Sequence, residues 1–476
     1  MRLGVVIASA LLCGCAVGPD FVRPVTPKSQ QYLPSQAPDA LDTAAAQSAP
    51  AQQIVLGAEV SARWWNLFAS SSLDDTVSQA LTANPTLLAA ASTLAQAQEL
   101  VTAAGGALYP RVDVNGGAGR QKYGKEFLGP LTAPPPFTYF AGGATVNYSF
   151  DYVGGVGRSI EARRALAEYQ HQELRAARLA LSGDVVTQAI AIAAARERLR
   201  AINELLIDDR RNLQLVQASF DAGNATRVDV LFADSQLASD ETLLPPASQE
   251  LDVARHALAV LLGRAPAEWS GADFDFAQLT LPATLPVSLP SELARGRPDI
   301  LAAEAQLHAA TAQVGVATAN LYPHITLTGS VGQQALTLGT LFSSGNGVWA
   351  FTSGLTAPVF DGGTLRAERR ADIDAMQARA ANYQDAVLKA LRQVADVLAA
   401  IDHDAQLLAA ETHALDAAQK SLNLTRESYR AGNVGVLQVV DVERLYQRAR
   451  LDYVRAETQR YVDTAQLYLA LGGTEP

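Results

Sequence analysis

An internal repeat is the feature of this 476-residue sequence that most restricts its possible folds. The stretch 84–112 aligns without a gap with 297–325, and Pro85 and Pro298 therefore lie 213 residues apart. Further matches pair 150–151 with 360–361, 222–224 with 431–433, and 262–263 with 471–472. A long internal repeat indicates that one structural unit occurs twice. We therefore divide the chain into repeat 1 (residues 61–264), a proline-rich linker (265–290) and repeat 2 (291–476).

The hydrophobic pattern changes in the same order within each copy. A segment rich in Ala and Leu, over 73–104 in repeat 1, predicts a helix. Two runs with weak alternation of apolar and polar residues follow, and their length and pattern are typical of membrane-barrel strands. The predicted strands are 110–120 and 140–152 in repeat 1, and 323–333 and 348–360 in repeat 2.

A long helix with a heptad pattern comes after each pair of strands. The stretch 159–220 contains no Pro, and at 1.5 Å per residue it predicts about 93 Å of helix. Apolar residues recur every seven positions, which indicates left-handed coiled-coil packing. The two series are Ile192, Leu199, Leu206, Leu213 and Phe220 in repeat 1, and Ile401, Leu408, Leu415, Leu422 and Tyr429 in repeat 2.

A turn after the long helix leads into a partner helix that runs back along it. In repeat 1 the two prolines at 245–246 should kink or break the partner helix, whereas Val454 and Arg455 allow it to continue in repeat 2. The predicted fold class is α+β, built from a tandem repeat of a strand hairpin plus a long coiled-coil helical hairpin.

The N-terminus predicts export and lipid attachment. Arg2 precedes a short apolar run that ends in Leu12-Cys13-Gly14-Cys15, which is the order of a secretory signal and is too short to span a bilayer. The last four residues resemble a bacterial lipobox, which implies a signal peptide over 1–14 and a lipid on Cys15. The alternative is an ordinary signal peptide cleaved near residues 8–10. Residues 15–60, rich in Pro, Gln, Ala and Ser after Thr26, read as an extended segment.

Composition and motifs argue against several function classes. The net charge of −11 disfavours a nucleic-acid partner. Both cysteines lie in the first fifteen positions and the six histidines are scattered, so we expect no metal site and no cofactor. The stretch 119–125 has the spacing GxxxxGK, but Glu126 replaces the Ser or Thr of a phosphate-binding loop. We therefore do not expect this protein to be an enzyme. No segment after the signal peptide reaches about 18 uninterrupted apolar residues, so any membrane crossing should use strands.

Several of these motifs together resemble the TolC-like outer-membrane efflux channels, in the lipoprotein branch associated with resistance-nodulation-division pumps. The residues that carry the resemblance are Cys15 to Pro24, Trp64-Trp65 with Phe68, Ala80-Leu81, Asn84-Pro85, and 297–300 with Glu304. The resemblance implies a homotrimer whose protomers form one 12-stranded β-barrel, continued by a periplasmic α-helical tunnel. It also implies contacts with outer-membrane lipid, a periplasmic adaptor protein and an inner-membrane pump.

The predicted strands support an assembly of several protomers. The smallest membrane barrels have about eight strands, and an open sheet edge in lipid is costly. Four strands in one chain therefore require partner chains, although the number three comes only from the resemblance. We expect the loops 121–138 and 334–347 to lie outside the cell.

The two helical turns are the candidate periplasmic gate and the candidate contact with the adaptor or pump. The turn residues are Gly223, Asn224, Gly432 and Asn433. In the family, acidic residues after the second turn form a ring at the constriction, and these positions fall here on Gln438 and Asp441, with Asp229 equivalent to Gln438 in repeat 1. The alternative for Asp441 and Asp229 is an acid in the first turn of a helix, which interacts favourably with the helix dipole.

The predicted function is a passive outer-membrane exit duct of a tripartite pump that exports drugs or other small toxic molecules. Two alternatives remain open from sequence. The first is a duct for a protein secretion system, and the second is a structural coiled-coil lipoprotein that spans the periplasm.

Overall fold

The computed structural model describes residues 17–27, 29, 31–33, 52–58, 60–124, 135–269, 271 and 273–473. Cys15, the predicted signal peptide and most of the loop 121–138 lie outside the described residues. The chain forms two compact units. Unit one comprises Met1–Pro24, Thr93–Gln170 and Ala303–Tyr383, and unit two comprises Val25–Ser92, His171–Ala302 and Gln384–Pro476.

Helices and strands alternate along the chain in groups. The strands are β1 (Gln53–Leu56), β2 (Arg111–Gln121), β3 (Phe137–Phe150), β4 (Thr284–Val287), β5 (His324–Ala335) and β6 (Gly347–Thr356). The helices are α1 (Ser71–Ala83), α2 (Pro85–Gly105), α3 (Gly155–Asp221), α4 (Arg227–Glu241), α5 (Leu244–Leu261), α6 (Pro290–Gly296), α7 (Pro298–Ala319), α8 (Thr364–Arg430) and α9 (Val436–Leu471). Short 3₁₀ turns occur as well, including Trp64–Phe68.

Unit one contains an antiparallel sheet with the strand order β2-β3-β5-β6. All four predicted barrel strands are present, although β3 begins three residues earlier than expected and β6 ends at Thr356 rather than at 360. Pro358 follows β6 and has no N–H to continue the ladder. Within the described residues β2 and β6 each pair on one side only, so the sheet has two open edges. Apolar side chains are exposed on these strands, among them Val112, Val114, Trp349, Phe351 and Leu355.

An N-terminal arm, residues 17–24, is bound in unit one through Arg158. The guanidinium of Arg158 donates from Nε to Val17 O (3.2 Å), from Nη1 to Glu161 (2.8 Å) and from Nη2 to Asp20 (2.5 Å). The Arg158 side chain is only 6% exposed. The amide of Val17 also donates to Val153 O (3.1 Å), just after β3 ends. This part of the predicted extended segment is therefore held in place by hydrogen bonds.

The arm continues along one face of α7. Three contacts follow one another, namely Gly18 against Gly315, Phe21 stacked on His308 (4.4 Å between ring centroids), and Arg23 paired with Glu304 (2.8 Å). Positions 304, 308 and 315 share one helix face. Gly18 has φ +91°, and a Cβ at that position would lie 2.5 Å from the Gly315 Cα. A side chain at residue 18 would push the arm off the helix.

Five of the ten heptad residues predicted in the two series are buried, and the other five are partly exposed. Ile192, Leu206, Ile401, Leu408 and Leu422 are all at most 4% exposed. The partner helix of repeat 1 breaks between α4 and α5, immediately before Pro245, whereas α9 is continuous over 36 residues. Both results agree with the expected effect of the two prolines.

The predicted helix over 73–104 is wrong in one respect, because it consists of two helices, α1 and α2. Pro85 disfavours helical geometry in the preceding residue, and Asn84 accordingly has ψ 123°. The Asn84 Oδ1 accepts the amide of Thr86 (2.8 Å) and thereby caps α2. Its Nδ2 donates to Leu261 O (2.9 Å), which fastens the start of α2 to the end of α5.

Unit two also holds a small parallel pair of strands and an aromatic core. β1 pairs with β4, so part of the predicted extended segment and part of the predicted linker form a sheet. Beside them Trp64 stacks on Tyr468 (5.6 Å) and Phe68 on Tyr461 (6.4 Å). Trp64 and Phe68 are fully buried.

One helix of the described residues, α3, contains an 18-residue window long and apolar enough to cross a membrane by length and composition. Half of that window is buried against the rest of the chain, as it would be in an ordinary core helix. The window is therefore weak evidence for a spanning helix.

Candidate functional site

The two helical turns have the same backbone geometry. Gly223 (φ +78°) donates to Phe220 O (2.9 Å), and the amide of Asn224 donates to Ser219 O (2.8 Å). In the second turn Gly432 (φ +77°) and Asn433 make the equivalent bonds, each 2.9 Å long. These pairs of bonds form Schellman motifs, which close a helix with a left-handed glycine. The turn residues predicted from sequence therefore end α3 and α8.

The helices that leave the two turns are capped differently. Before α4, Thr226 and Asp229 form a capping box, in which the Thr226 amide donates to Asp229 Oδ2 (2.7 Å) and the Asp229 amide donates to Thr226 Oγ1 (3.3 Å). The backbone hydrogen bond from Thr226 holds the pKa of Asp229 below its usual range. Before α9, Gly435 provides no side-chain cap, and Gln438 stands where the acid would be. Asp229 is therefore a capping residue.

Asp441 does not lie in the first turn of its helix. α9 begins at Val436 and has no acidic residue in its first turn, so Asp441 falls in the second turn. The helix-dipole alternative is therefore wrong for Asp441, because the dipole acts mainly within the first turn. Asp441 lines a groove of about 770 Å³ between repeat 1 helices and α9, together with Asp240, Arg444 and Arg448.

A buried charge cluster near the turns was not predicted. Arg426 of α8 bonds Asp208 of α3 (3.1 Å) and pairs with Glu443 of α9. Asn212 of α3 donates to the second oxygen of Glu443, whose side chain is 2% exposed. Burial raises the pKa of Glu443, while the hydrogen bond from Asn212 and the charge of Arg426 oppose that change.

Asp209 belongs to the same cluster and is the residue that the sequence could have revealed. The interleaved apolar positions of α3 are 195, 202 and 216, and the missing member of this seven-residue series is 209. Asp209 is accordingly buried, at 6% exposure. Burial, a hydrogen bond with Asp240 and the nearby acids raise its pKa to about 7. A charged residue at a core heptad position was the available signal.

The cluster contains no arrangement suited to a metal ion. Among the described residues no group of three or more His, Cys, Asp or Glu side chains could hold one. The turns close the ends of α3 and α8, and the cluster contains a buried carboxyl group, Asp209, that can bind a proton.

Comparison with known proteins places the chain in a family. The family model described as outer membrane efflux protein matches residues 76–264 and 289–473. The chain belongs to the outer membrane efflux protein family. Its matched residues cover both sets of strands and long helices.

Individual members of this family are similar over most of their length. The pyoverdine export outer membrane protein OpmQ of Pseudomonas aeruginosa is 32% identical over 417 residues, which are 86% of this chain and 87% of OpmQ. The probable outer membrane lipoprotein SilC of Salmonella typhimurium is 27% identical over 465 residues, covering 97% and 96% of the two chains. The solved outer-membrane channel OprN superposes with a TM-score of 0.85 at 28% identity, covering 96% of this chain and 99% of OprN.

Membership in this family decides the location and the general role. The protein is an outer-membrane component of an efflux system. The family consists of channels rather than enzymes.

Proposed function

We propose that this outer membrane efflux protein is a passive exit duct of a tripartite pump for drugs or other small toxic molecules. The four-stranded sheet with two open edges and exposed apolar side chains carries the proposal. Three such sheets joined through β2 and β6 make a closed 12-stranded barrel, and closure removes edges that lipid cannot satisfy. The working form is then a homotrimer.

The helical part forms a periplasmic tunnel in this proposal. α3 and α8 each have 67 residues, which correspond to about 100 Å of helix. Apolar side chains are exposed beside both turns, including Val228, Leu231 and Leu437. They support a contact of the turns, through Gly223, Asn224, Gly432 and Asn433, with a periplasmic adaptor protein and an inner-membrane pump.

The protomer contains two copies of one sequence repeat in this proposal. Repeat 1, the linker and repeat 2 have the boundaries given under the sequence analysis. A shared contact supports this duplication. Arg297 donates to Ala470 O (2.6 Å) at the end of α9, as Asn84 donates to Leu261 O at the end of α5. A glycine with positive φ follows each of these carbonyl residues, Gly263 in repeat 1 and Gly472 in repeat 2.

A lipid on Cys15 would anchor the mature chain in the outer membrane. Replacement of Cys15 by Ser should abolish incorporation of labelled palmitate, because the thiol is the attachment point. The matched control is Cys13→Ser, which should leave labelling unchanged, since Cys13 lies within the signal peptide. Labelled Cys15→Ser protein of unchanged mass would contradict the proposal.

In this proposal the gate lies at the turns, and Asp441 and Gln438 lie near its constriction. Carboxylates that converge on a pore axis attract multivalent cations. We expect purified wild-type protein to conduct in planar bilayers and to be blocked by such cations, and Asp441→Asn to weaken the block several-fold. Asp229→Asn is the matched control and should lower thermal stability without changing the block, because Asp229 caps α4.

Two outcomes of this experiment decide between functions. A protein that gives no conductance in any condition would be a structural spacer rather than a duct. Conductance with an unaltered block in Asp441→Asn would leave the duct in place and remove Asp441 from the gate.

A further inference from the structure

Four acidic side chains and one arginine form a group in the helices that lead into and out of the turns. Asp208 and Asp209 come from α3, Asp240 from α4, Glu443 from α9, and Arg426 from α8. All four long helical segments of unit two therefore contribute to one cluster, which we call the acidic cluster. Its members lie far apart in sequence and are brought together only by the packing of the hairpins.

Two of the four acids in the acidic cluster form ion pairs with its arginine. Arg426 bonds Asp208 and Glu443, and Asn212 satisfies the other oxygen of Glu443. The acids that act on Asp209 are Asp240, Glu443 and Asp208. Full ionisation would place four negative charges against one positive charge, with Asp209 and Glu443 both buried, which is unfavourable.

One carboxylate oxygen of Asp209 lacks a hydrogen-bond donor. Its Oδ2 is buried and has no hydrogen-bond donor among the described residues. Asp240 hydrogen-bonds Asp209, and Gln236 donates to Asp240 Oδ2 (2.6 Å). Two carboxyl groups form a hydrogen bond only if one of them holds a proton. The buried oxygen and the paired carboxyl group therefore both indicate a bound proton.

We propose that the acidic cluster is a proton-binding site centred on Asp209, whose deprotonation loosens the helices beside the turns. The ligand is a proton because Asp209 is buried and its Oδ2 has no hydrogen-bond partner among the described residues. Ionised Asp209 would face Asp208, Asp240 and Glu443, and this repulsion acts between α3, α4 and α9. The charged groups of the adjoining groove are Arg198 of α3, Asp240 of α4, Glu250 of α5, and Asp441, Arg444, Arg448, Asp452 and Arg455 of α9.

The direction of the pH effect follows from burial. The pKa of Asp209 is raised to about 7 in the folded protein, whereas an unfolded aspartate titrates near 3.9. Stability from the bound proton is therefore fully present below about pH 4 and is lost as the pH rises through about 7. The helices beside the turns should be held together in mildly acid solution and loosened in mildly alkaline solution.

A second carboxyl pair provides an internal control. Asp463 of α9 hydrogen-bonds Asp404 of α8, and burial raises the pKa of Asp463 to about 7 as well. This pair lies between α8 and α9 of repeat 2 and shares no residue with the acidic cluster. Asp463→Asn should therefore leave the pH response of the turns unchanged, while Asp209→Asn should remove it.

The test is amide hydrogen exchange of the full-length protein in detergent at pH 6 and pH 8.5, corrected for the intrinsic rate. In wild type, protection of 205–215 and 438–446 should fall by about 10-fold, because one proton is released with an apparent pKa near 7. In Asp209→Asn it should be nearly the same at both pH values, because Asn can donate to Asp240 without a bound proton. Size-exclusion chromatography confirms that each variant remains assembled.

Any effect of the proton site on transport rests on the proposed gate at the turns. The experiment distinguishes failure of the proton site from failure of the gate. Wild-type protection that is independent of pH, or an Asp209→Asn variant that responds like wild type, would overturn the proton site. A pH-dependent protection that accompanies a pH-dependent conductance supports both proposals. A pH-dependent protection with constant conductance supports the proton site and shows that the gate lies elsewhere.

Discussion

Replacing Arg426 with methionine is expected to lower the free energy of unfolding by about 3–5 kcal/mol, which is the usual cost of leaving a buried charge without its partner. Glu443 is 2% exposed and receives its only guanidinium contact in the described residues from Arg426. Asp208 loses the same partner. Thermal unfolding of the purified protein at pH 7.5 measures the change.

Two further variants show whether burial causes this loss. Lys420 of α8 pairs with Asp416 at 2.6 Å, but both side chains are more than half exposed, so Lys420→Met should cost less than about 1 kcal/mol. In the double variant Arg426→Met and Glu443→Leu, most of the stability should return, because the buried Glu443 carboxylate is removed together with its partner, and Asp208, which remains, is 26% exposed. Equal losses for Arg426→Met and Lys420→Met would show that the cluster is effectively solvated.

Truncation of Trp64 to alanine should cost about 3–5 kcal/mol, since a fully buried indole is removed and a cavity remains. The ring stacks on Tyr468 of α9 and meets Phe68 edge-on at 6.5 Å between centroids. The segment 64–68 and the end of α9 would lose their main contact in unit two. Chemical denaturation followed by tryptophan fluorescence of the remaining residues measures the loss.

Leu67 provides the matched control for Trp64. It lies in the same 3₁₀ turn but is 38% exposed. Leu67→Ala should therefore cost about 1–2 kcal/mol, less than Trp64→Ala, because a smaller and partly exposed side chain is removed. A similar loss in both variants would mean that the turn itself, rather than the indole, stabilises this region.

Sequence reasoning succeeded where a property repeats along the chain. The seven-residue series placed Leu206 and Leu408 in the core, and the alternating runs located all four strands of the antiparallel sheet to within a few residues. Periodicity is a direct consequence of helix and strand geometry, so it can be read without knowledge of tertiary contacts. The Schellman turns were also readable, because a left-handed position strongly favours glycine.

It failed where side chains from separate helices meet. The pair of Arg426 with Asp208 joins residues 218 apart, and no local pattern records that contact. The helix boundary at Asn84 was missed although Pro85 marks it, because the composition on both sides is helical. The position of Asp441 in its helix was misjudged because the start of α9 depends on Gly435, which has no capping side chain.

The N-terminal arm limits how far a lipid anchor could stand from the folded protein. Only Ala16 separates Cys15 from Val17, and two residues of extended chain reach at most about 7 Å. Val17 is bonded to Val153, between the last residue of β3 and the first residue of α3. A lipid on Cys15 would therefore be held close to the folded part of the protein. In the assembly that we propose, the acyl chains on Cys15 and the periplasmic ends of the strands would enter the same leaflet at the same level, and the anchor would fix the depth of the proposed barrel in the bilayer.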